Sequence, residues 1–136
     1  MLPVLLRTKS PFISSIIVGA YFGAWHLVEF YRPGSSQYAI GLKYYPLFII
    51  TEISFSIIMT WYYIKSNKNL FLAGVFFHWM MNNSSVIFLT DITLTGMESA
   101  PKMNPHYFLV QSVIISLLAV VFVVKGKMHI NLEALR

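Results

Sequence analysis

The chain has 136 residues, of which 57% are hydrophobic and only 11% are charged, whereas charged residues make up about 25% of an ordinary soluble domain. This composition excludes a soluble globular domain and predicts a membrane protein. The absence of cysteine also excludes disulfides, thiolate zinc sites and cysteine nucleophiles. The net charge is +5, but nucleic-acid binding needs a basic face on a water-exposed domain, and the sequence predicts none. We therefore expect no nucleic-acid partner.

Four apolar runs are long enough to cross a hydrocarbon layer, which takes roughly 20 helical residues. They lie near residues 11–31, 46–64, 70–89 and 107–124, and polar turns connect them. Lipid offers no partner for unpaired backbone groups, so each run is expected to be helical. The sequence therefore predicts an all-α fold, a polytopic bundle of about four spanning helices that forms one transmembrane domain over residues 1–136.

Lysine and arginine are divided unequally between the two sides of such a bundle. Cytoplasmic flanks of membrane proteins carry an excess of these residues. The side with both termini would hold Arg7, Lys9, Lys65, Lys68, Lys125, Lys127 and Arg136, and the other side Arg32, Lys43 and Lys102. This distribution predicts that both termini are cytoplasmic.

The first span contains two ionisable residues in the stretch "FGAWHLVEF", His26 and Glu29. An ionisable side chain at membrane depth costs about 2.5–3.5 kcal/mol or more, which makes it a candidate functional residue. The two residues are three apart and can share one helix face. A structural hydrogen bond to a neighbouring helix explains His26 equally well, and snorkelling to the interface is the favoured explanation of Glu29.

The second span carries Glu52, Ser56 and Thr60 at a spacing of four residues, which places them on one helix face. A polar seam between two helices is the favoured interpretation of this stripe. A functional role for Glu52 is the alternative.

The third span contains His78 and Asn82, four residues apart on one helix face. A neutral imidazole can accept a proton or bind a metal, and an amide can donate hydrogen bonds to a developing oxyanion. We expect His26, His78 and Asn82 to converge in one polar cavity, with side chains within roughly 8 Å of one another. As for His26, a structural hydrogen bond is an equal alternative for His78 taken alone.

These pairs resemble two motifs of the CAAX protease and bacteriocin-processing family, which includes the type II CAAX prenyl endopeptidases of the membrane. Phe22-x-x-x-His26 in "GAWH" precedes His78-x-x-x-Asn82 in "FFHWMMN" by about fifty residues, and the hairpin "WYYIKSNKNLF" separates them. The resemblance covers Met1 to Ser85. A third motif of the family, Glu-Glu-x-x-x-Arg, would fall immediately before Met1, so we expect a truncated member or a start inside a longer reading frame.

The resemblance implies hydrolysis of peptide bonds in membrane-associated proteins or peptides, with prenylated ones among the expected substrates. His26 would orient or help to deprotonate a water molecule, and His78 and Asn82 would face the oxyanion. Glu29 would be an auxiliary carboxylate. No cofactor is certain, and a divalent metal such as zinc would take His26 and His78 as part of its ligand set, which usually has three protein ligands.

Two other functions remain open at this point. The first is a non-catalytic self-immunity or interaction protein that binds a membrane-active bacteriocin peptide or another partner. The second is an ion or proton pathway lined by His26, His78 and Glu52. In each case we expect an integral protein of a bacterial plasma membrane, with membrane lipid as a partner.

Overall fold

The computed structural model describes residues 1–80, 83 and 104–128. Within these residues the chain is helical with connecting turns, and no strand is present. Three helical segments are long and apolar enough to cross a membrane: Pro11–Phe30, Leu42–Lys65 and Pro105–Lys125. The predicted all-α transmembrane fold is thereby confirmed.

The helices are named here in chain order. They are α1 (Leu2–Leu5), α2 (Pro11–Trp25), α3 (Ser36–Ile40), α4 (Tyr45–Lys65), α5 (Phe71–Met80) and α6 (Pro105–Lys125). A short 3-10 helix, His26–Phe30, follows α2, and another, Leu42–Tyr44, precedes α4. The first part of α5, Phe71–Phe76, is π-helical. The third predicted span, residues 70–89, extends beyond the described part of the chain.

Local sequence signals start two of the long helices. The Ser10 side chain accepts a hydrogen bond from the Ile13 N–H at 3.3 Å, directly before Pro11. Asn104 accepts one from the His106 N–H at 2.9 Å, directly before the proline that opens α6. A capping side chain satisfies an N–H that the helix leaves free, and proline at the first position loses no helical hydrogen bond.

Two glycines bring α2 against α4. A Cβ on Gly19 would lie 2.4 Å from the Cα of Ile53, and one on Gly23 would lie 3.2 Å from the Cα of Ile49. The glycines are four residues apart and therefore lie on the same face of α2. Small residues at this spacing let two membrane helices approach closely, so that dispersion contacts hold them together. The backbone of α2 is thus fixed against α4 up to the turn before His26.

Hydroxyl groups join α4 to α6. Thr51 Oγ1 donates to Ser112 Oγ at 2.9 Å, and the Ser54 and Ser116 hydroxyls lie 3.3 Å apart. These contacts use residues outside the predicted stripe of Glu52, Ser56 and Thr60, and the polar seam predicted for that stripe stays a prediction.

The two sets of residues lie on different faces of α4. Thr51 and Ser54 lie three residues apart on the face towards α6, whereas Glu52 is rotated away from Thr51 by about 100°. Thr60 is fully buried, but its Oγ1 finds no hydrogen-bond partner within the described residues.

Among the described residues, buried side chains form two separate clusters towards opposite ends of α4. The first contains Phe30, Ile40, Phe48 and Phe108. The second contains Ile57, Ile58, Ala119 and Met128. The first cluster lies directly beneath the segment that carries His26, and the second closes the other end of the bundle.

Candidate active site

His26 lies where the α-helical part of α2 ends. Its backbone N–H still donates to the carbonyl of Phe22, one turn back, and the chain then continues as a 3-10 helix. The Phe22-x-x-x-His26 pair therefore spans one helical turn, with both side chains on similar sides of α2.

The imidazole of His26 rests on an aromatic surface. Its ring meets the ring of Phe48 edge to face, with centroids 5.5 Å apart and planes at 68°. Phe48 is itself fixed by Phe30 at 5.3 Å and by Phe108 at 6.2 Å. Three helical segments thus determine where the histidine ring can lie.

One nitrogen of this ring is left without a partner. Nδ1 of His26 is buried and makes no hydrogen bond to the described residues. A structural histidine in a bundle core is expected to use its buried nitrogen in a hydrogen bond to a neighbouring helix, because an unsatisfied buried polar group costs about 1–3 kcal/mol. An unpaired, oriented nitrogen is instead typical of a group that acts on a ligand or a water molecule.

His78 lies on α5, which packs against α4 through stacked rings of Phe77 and Tyr62, with centroids 6.4 Å apart. Its side chain is exposed and interacts electrostatically with His26. The residues before it, Phe71–Phe76, form a π-helix, a rare geometry that is often found at functional sites. The convergence of His26 and His78 in one cavity stays a prediction.

Asn82, the third member of the predicted site, lies outside the described residues. Its neighbour Asn83 is described, and its Nδ2 donates to the carbonyl of Trp79 at 2.8 Å. The proposed pairing of Asn82 with His78 therefore stays a prediction.

Glu29 follows His26 in the 3-10 helix. Its carboxylate is half-buried and forms an ion pair with the exposed Arg32 at 3.1 Å. It also interacts electrostatically with His26. The pair fits a carboxylate that reaches the membrane interface, and the interaction with His26 keeps an auxiliary role open.

Glu52 lies on α4, one helical turn after Phe48. It is half-buried in α4, and within the described part of the chain it takes part in no hydrogen bond or ion pair. The pathway lined by His26, His78 and Glu52 stays a prediction.

The described residues do not form a zinc site. They contain no group of three or more histidine, aspartate or glutamate side chains that could hold a metal ion. A catalytic zinc ion usually takes three protein ligands, and His26 and His78 would supply two. No chemical step is therefore assigned to a metal here.

Sequence reasoning missed the residues that support His26. Phe48 forms the surface under the imidazole, and Tyr45 Oη donates to the carbonyl of Gly23 at 3.3 Å, at the end of α2. The pair Gly19 and Gly23 in "GAYFG" was a readable signal, since small residues four apart in an apolar helix indicate a close helix contact. Phe48 carries no such signal, because aromatic residues are common throughout this chain.

The model of the Rce1-like family, the type II CAAX prenyl endopeptidases, matches residues 1–84. The chain belongs to this family. The match ends close to the C-terminal limit of the resemblance at Ser85, and the recognition from the two motifs is confirmed. The family is one of endopeptidases, and the immunity alternative is not favoured.

A curated relative supports the same family. The chain is 31% identical over 88 residues to CAAX prenyl protease 2 of Methanococcus maripaludis. The aligned region covers 62% of this chain and 32% of the relative. The chain thus spans about a third of the length of that CAAX protease. The comparison with solved structures gave no match.

Proposed function

We propose that this chain forms the part of a CAAX-type intramembrane endopeptidase that holds the two catalytic histidines. The observation that carries the proposal is the buried Nδ1 of His26, which has no hydrogen-bond partner among the described residues, on a ring that Phe48 holds edge to face at 5.5 Å. Membership of the Rce1-like family supports peptide-bond hydrolysis as the reaction.

In this proposal His26 handles the attacking water. A neutral imidazole can accept a hydrogen bond from water and take up its proton as the water attacks the peptide carbonyl. The edge contact with Phe48 at 5.5 Å restricts rotation of the ring, so that the accepting nitrogen stays in one direction. Such positioning lowers the entropic cost of bringing water and carbonyl together.

His78 and Asn82 stabilise the negative charge that develops on the carbonyl oxygen. Preorganised donors for such an oxyanion are effective in a site that excludes bulk water, and each contributes about 10²–10³-fold in rate. His78 is exposed on α5, and a substrate that approaches from between the helices can reach it.

Deprotonation of the attacking water needs a carboxylate in addition to His26. The family resemblance implies a Glu-Glu-x-x-x-Arg motif for this role, on a segment before Met1. Within the described residues Glu29 is the carboxylate that interacts with His26, but Arg32 holds it in an ion pair at 3.1 Å. We therefore assign Glu29 an auxiliary role.

The substrate class follows from the location of the site. His26 lies in the first of three helical segments that are long and apolar enough to cross a membrane, so the scissile bond belongs to a membrane-associated protein or peptide, and a prenylated one fits the family. The proposed location is the plasma membrane of a bacterium, and the distribution of lysine and arginine supports both termini in the cytoplasm.

Cleavage by an extended chain tests this proposal. An N-terminal helix that bears Glu-Glu-x-x-x-Arg is fused before Met1, and hydrolysis of a membrane-anchored fluorogenic peptide is followed in proteoliposomes. His26→Ala and His78→Ala should each remove most of the activity, and Asn82→Ala should lower the rate by about 10²–10³-fold.

His106→Ala is the matched control, because His106 is an exposed histidine in the first turn of α6. It should leave the rate unchanged. A folded but inactive extended chain, or unchanged cleavage by the His26→Ala and His78→Ala variants, would refute the proposal.

A further inference from the structure

Exposed cations gather at one end of the bundle, on the three chain segments that end or begin the long helices there. The segments are the turn before α2, the end of α4 with the turn after it, and the end of α6 with the turn after it. Their six exposed cations are called the basic end: Arg7, Lys9, Lys65, Lys68, Lys125 and Lys127.

Packing holds these three segments together. The Phe12 N–H of α2 donates to the carbonyl of Met128 at 2.9 Å, after the end of α6. Trp61 of α4 packs on Phe122 of α6 with ring centroids 4.6 Å apart. Met128 is only 1% exposed and belongs to the core cluster at this end. The six cations therefore form one surface.

No described carboxylate neutralises this surface. The carboxylates of the described residues are Glu29 and Glu52. Glu29 is paired with Arg32 near the opposite end of α4, and Glu52 lies within α4 without an ion pair to a described residue. None of the six cations forms a salt bridge with a described residue.

We propose that the basic end binds the headgroups of anionic phospholipids. The helices that carry these cations are long enough to span the membrane and end at this surface, which places the cations at headgroup depth. Lysine and arginine at that depth are attracted to phosphate-bearing anionic headgroups, by about fivefold in affinity for each cation. This binding is independent of peptide hydrolysis.

Binding of anionic lipid by the folded protein differs from the role that cations play in setting the direction of membrane insertion. A cation that only sets the direction of membrane insertion acts during synthesis and gives the folded protein no preference between lipids. A lipid-binding surface predicts such a preference in the purified chain, and it predicts that the preference weakens with salt because ions screen exposed charges.

Equilibrium binding of labelled lipids to the purified full chain in zwitterionic micelles tests the proposal. The probes are phosphatidylglycerol and phosphatidylcholine with the same labelled acyl chains. The chain should bind phosphatidylglycerol more tightly, and Lys125→Gln with Lys127→Gln should weaken that binding by about 20- to 30-fold without changing phosphatidylcholine binding. Both ends are open to lipid in micelles, so insertion direction does not affect the result.

Two further variants control for the change in charge and for folding. Arg32→Gln with Lys43→Gln removes two cations outside the basic end. Arg32 is already paired with Glu29 at 3.1 Å, and Lys43 Nζ lies 5.1 Å from the ring centroid of Tyr44, so this variant should change phosphatidylglycerol binding by less than about twofold. Lys125→Arg with Lys127→Arg keeps both charges and should bind as the parent does. If the glutamine variant does not fold, the salt dependence of the parent chain tests the proposal instead. Its affinity for phosphatidylglycerol should fall as the salt concentration rises from about 0.1 M to 1 M.

Equal affinity for the two lipids would overturn the proposal. So would an equal loss in the Arg32→Gln, Lys43→Gln variant, or an affinity for phosphatidylglycerol that salt leaves unchanged. Soluble glycerol phosphate should compete weakly, because it brings one headgroup without the surrounding lipid surface. Competition as strong as that of the lipid itself would contradict binding to a membrane surface.

Discussion

The ring of His26 meets the ring of Phe48 edge to face, with centroids 5.5 Å apart. Phe48 is 7% exposed and belongs to the core cluster with Phe30 and Phe108. The residue that orients the candidate catalytic histidine is therefore also part of the core. Close packing around Phe48 limits how far the ring of His26 can move.

Removing the Phe48 ring should destabilise the protein. Phe→Ala in a packed core costs about 3–5 kcal/mol, and we expect Phe48→Ala near the lower limit, because lipid and not water surrounds the bundle. Unfolding in mixed micelles measures the change. Phe71→Ala is the control, since Phe71 is 65% exposed, and it should cost less than about 0.5 kcal/mol. Equal losses for both variants would contradict the packing described for Phe48.

Adding a methyl group at Gly19 should separate α2 from α4. The new Cβ would lie 2.4 Å from the Cα of Ile53, and backbone atoms cannot move aside as a flexible side chain can. We expect Gly19→Ala to destabilise the chain by about 1–3 kcal/mol, as overpacking does.

Gly74→Ala is the matched control for this substitution, because its Cβ would meet only Leu70 Cδ1 at 3.7 Å, an ordinary contact. Unfolding in mixed micelles should show little change for this variant. A tolerated Gly19→Ala, or a Gly74→Ala that is equally damaging, would argue against close packing of α2 on α4.

The sequence predicted the membrane class and helical fold because long apolar runs leave the backbone no alternative in lipid. It did not predict the seam through Thr51 and Ser112, since the rotation of α4 about its axis depends on which neighbours it packs against. His26 and His78 could be predicted as site residues because ionisable side chains stand out in apolar helices. Phe48 could not, because its contact with His26 exists only once α2 and α4 are packed together.

The proximity of His26 and His78 can be tested without any activity. The chain has no cysteine, so cysteines introduced at these two positions are the only thiols present. A bifunctional thiol reagent with a reach of about 8 Å, enough for one bridging water or substrate atom, should cross-link His26→Cys to His78→Cys.

The matched control pairs His26→Cys with Lys65→Cys. His26 contacts Phe48 near the start of α4, and Lys65 is the last residue of that helix, so the two lie about 25 Å apart along its axis at 1.5 Å per residue. This pair should not react. Failure of the His26–His78 pair in a chain whose unfolding is normal would contradict a shared site.

The central claim is that His26 and His78 act together on one peptide bond. Cleavage rates of the extended chain should be compared for His26→Ala, for His78→Ala and for the double variant. Residues that act as a unit are strongly non-additive, so the double variant should be about as slow as the slower single variant. A double variant slowed by the product of the two single effects would show that the histidines act independently, and would contradict this account.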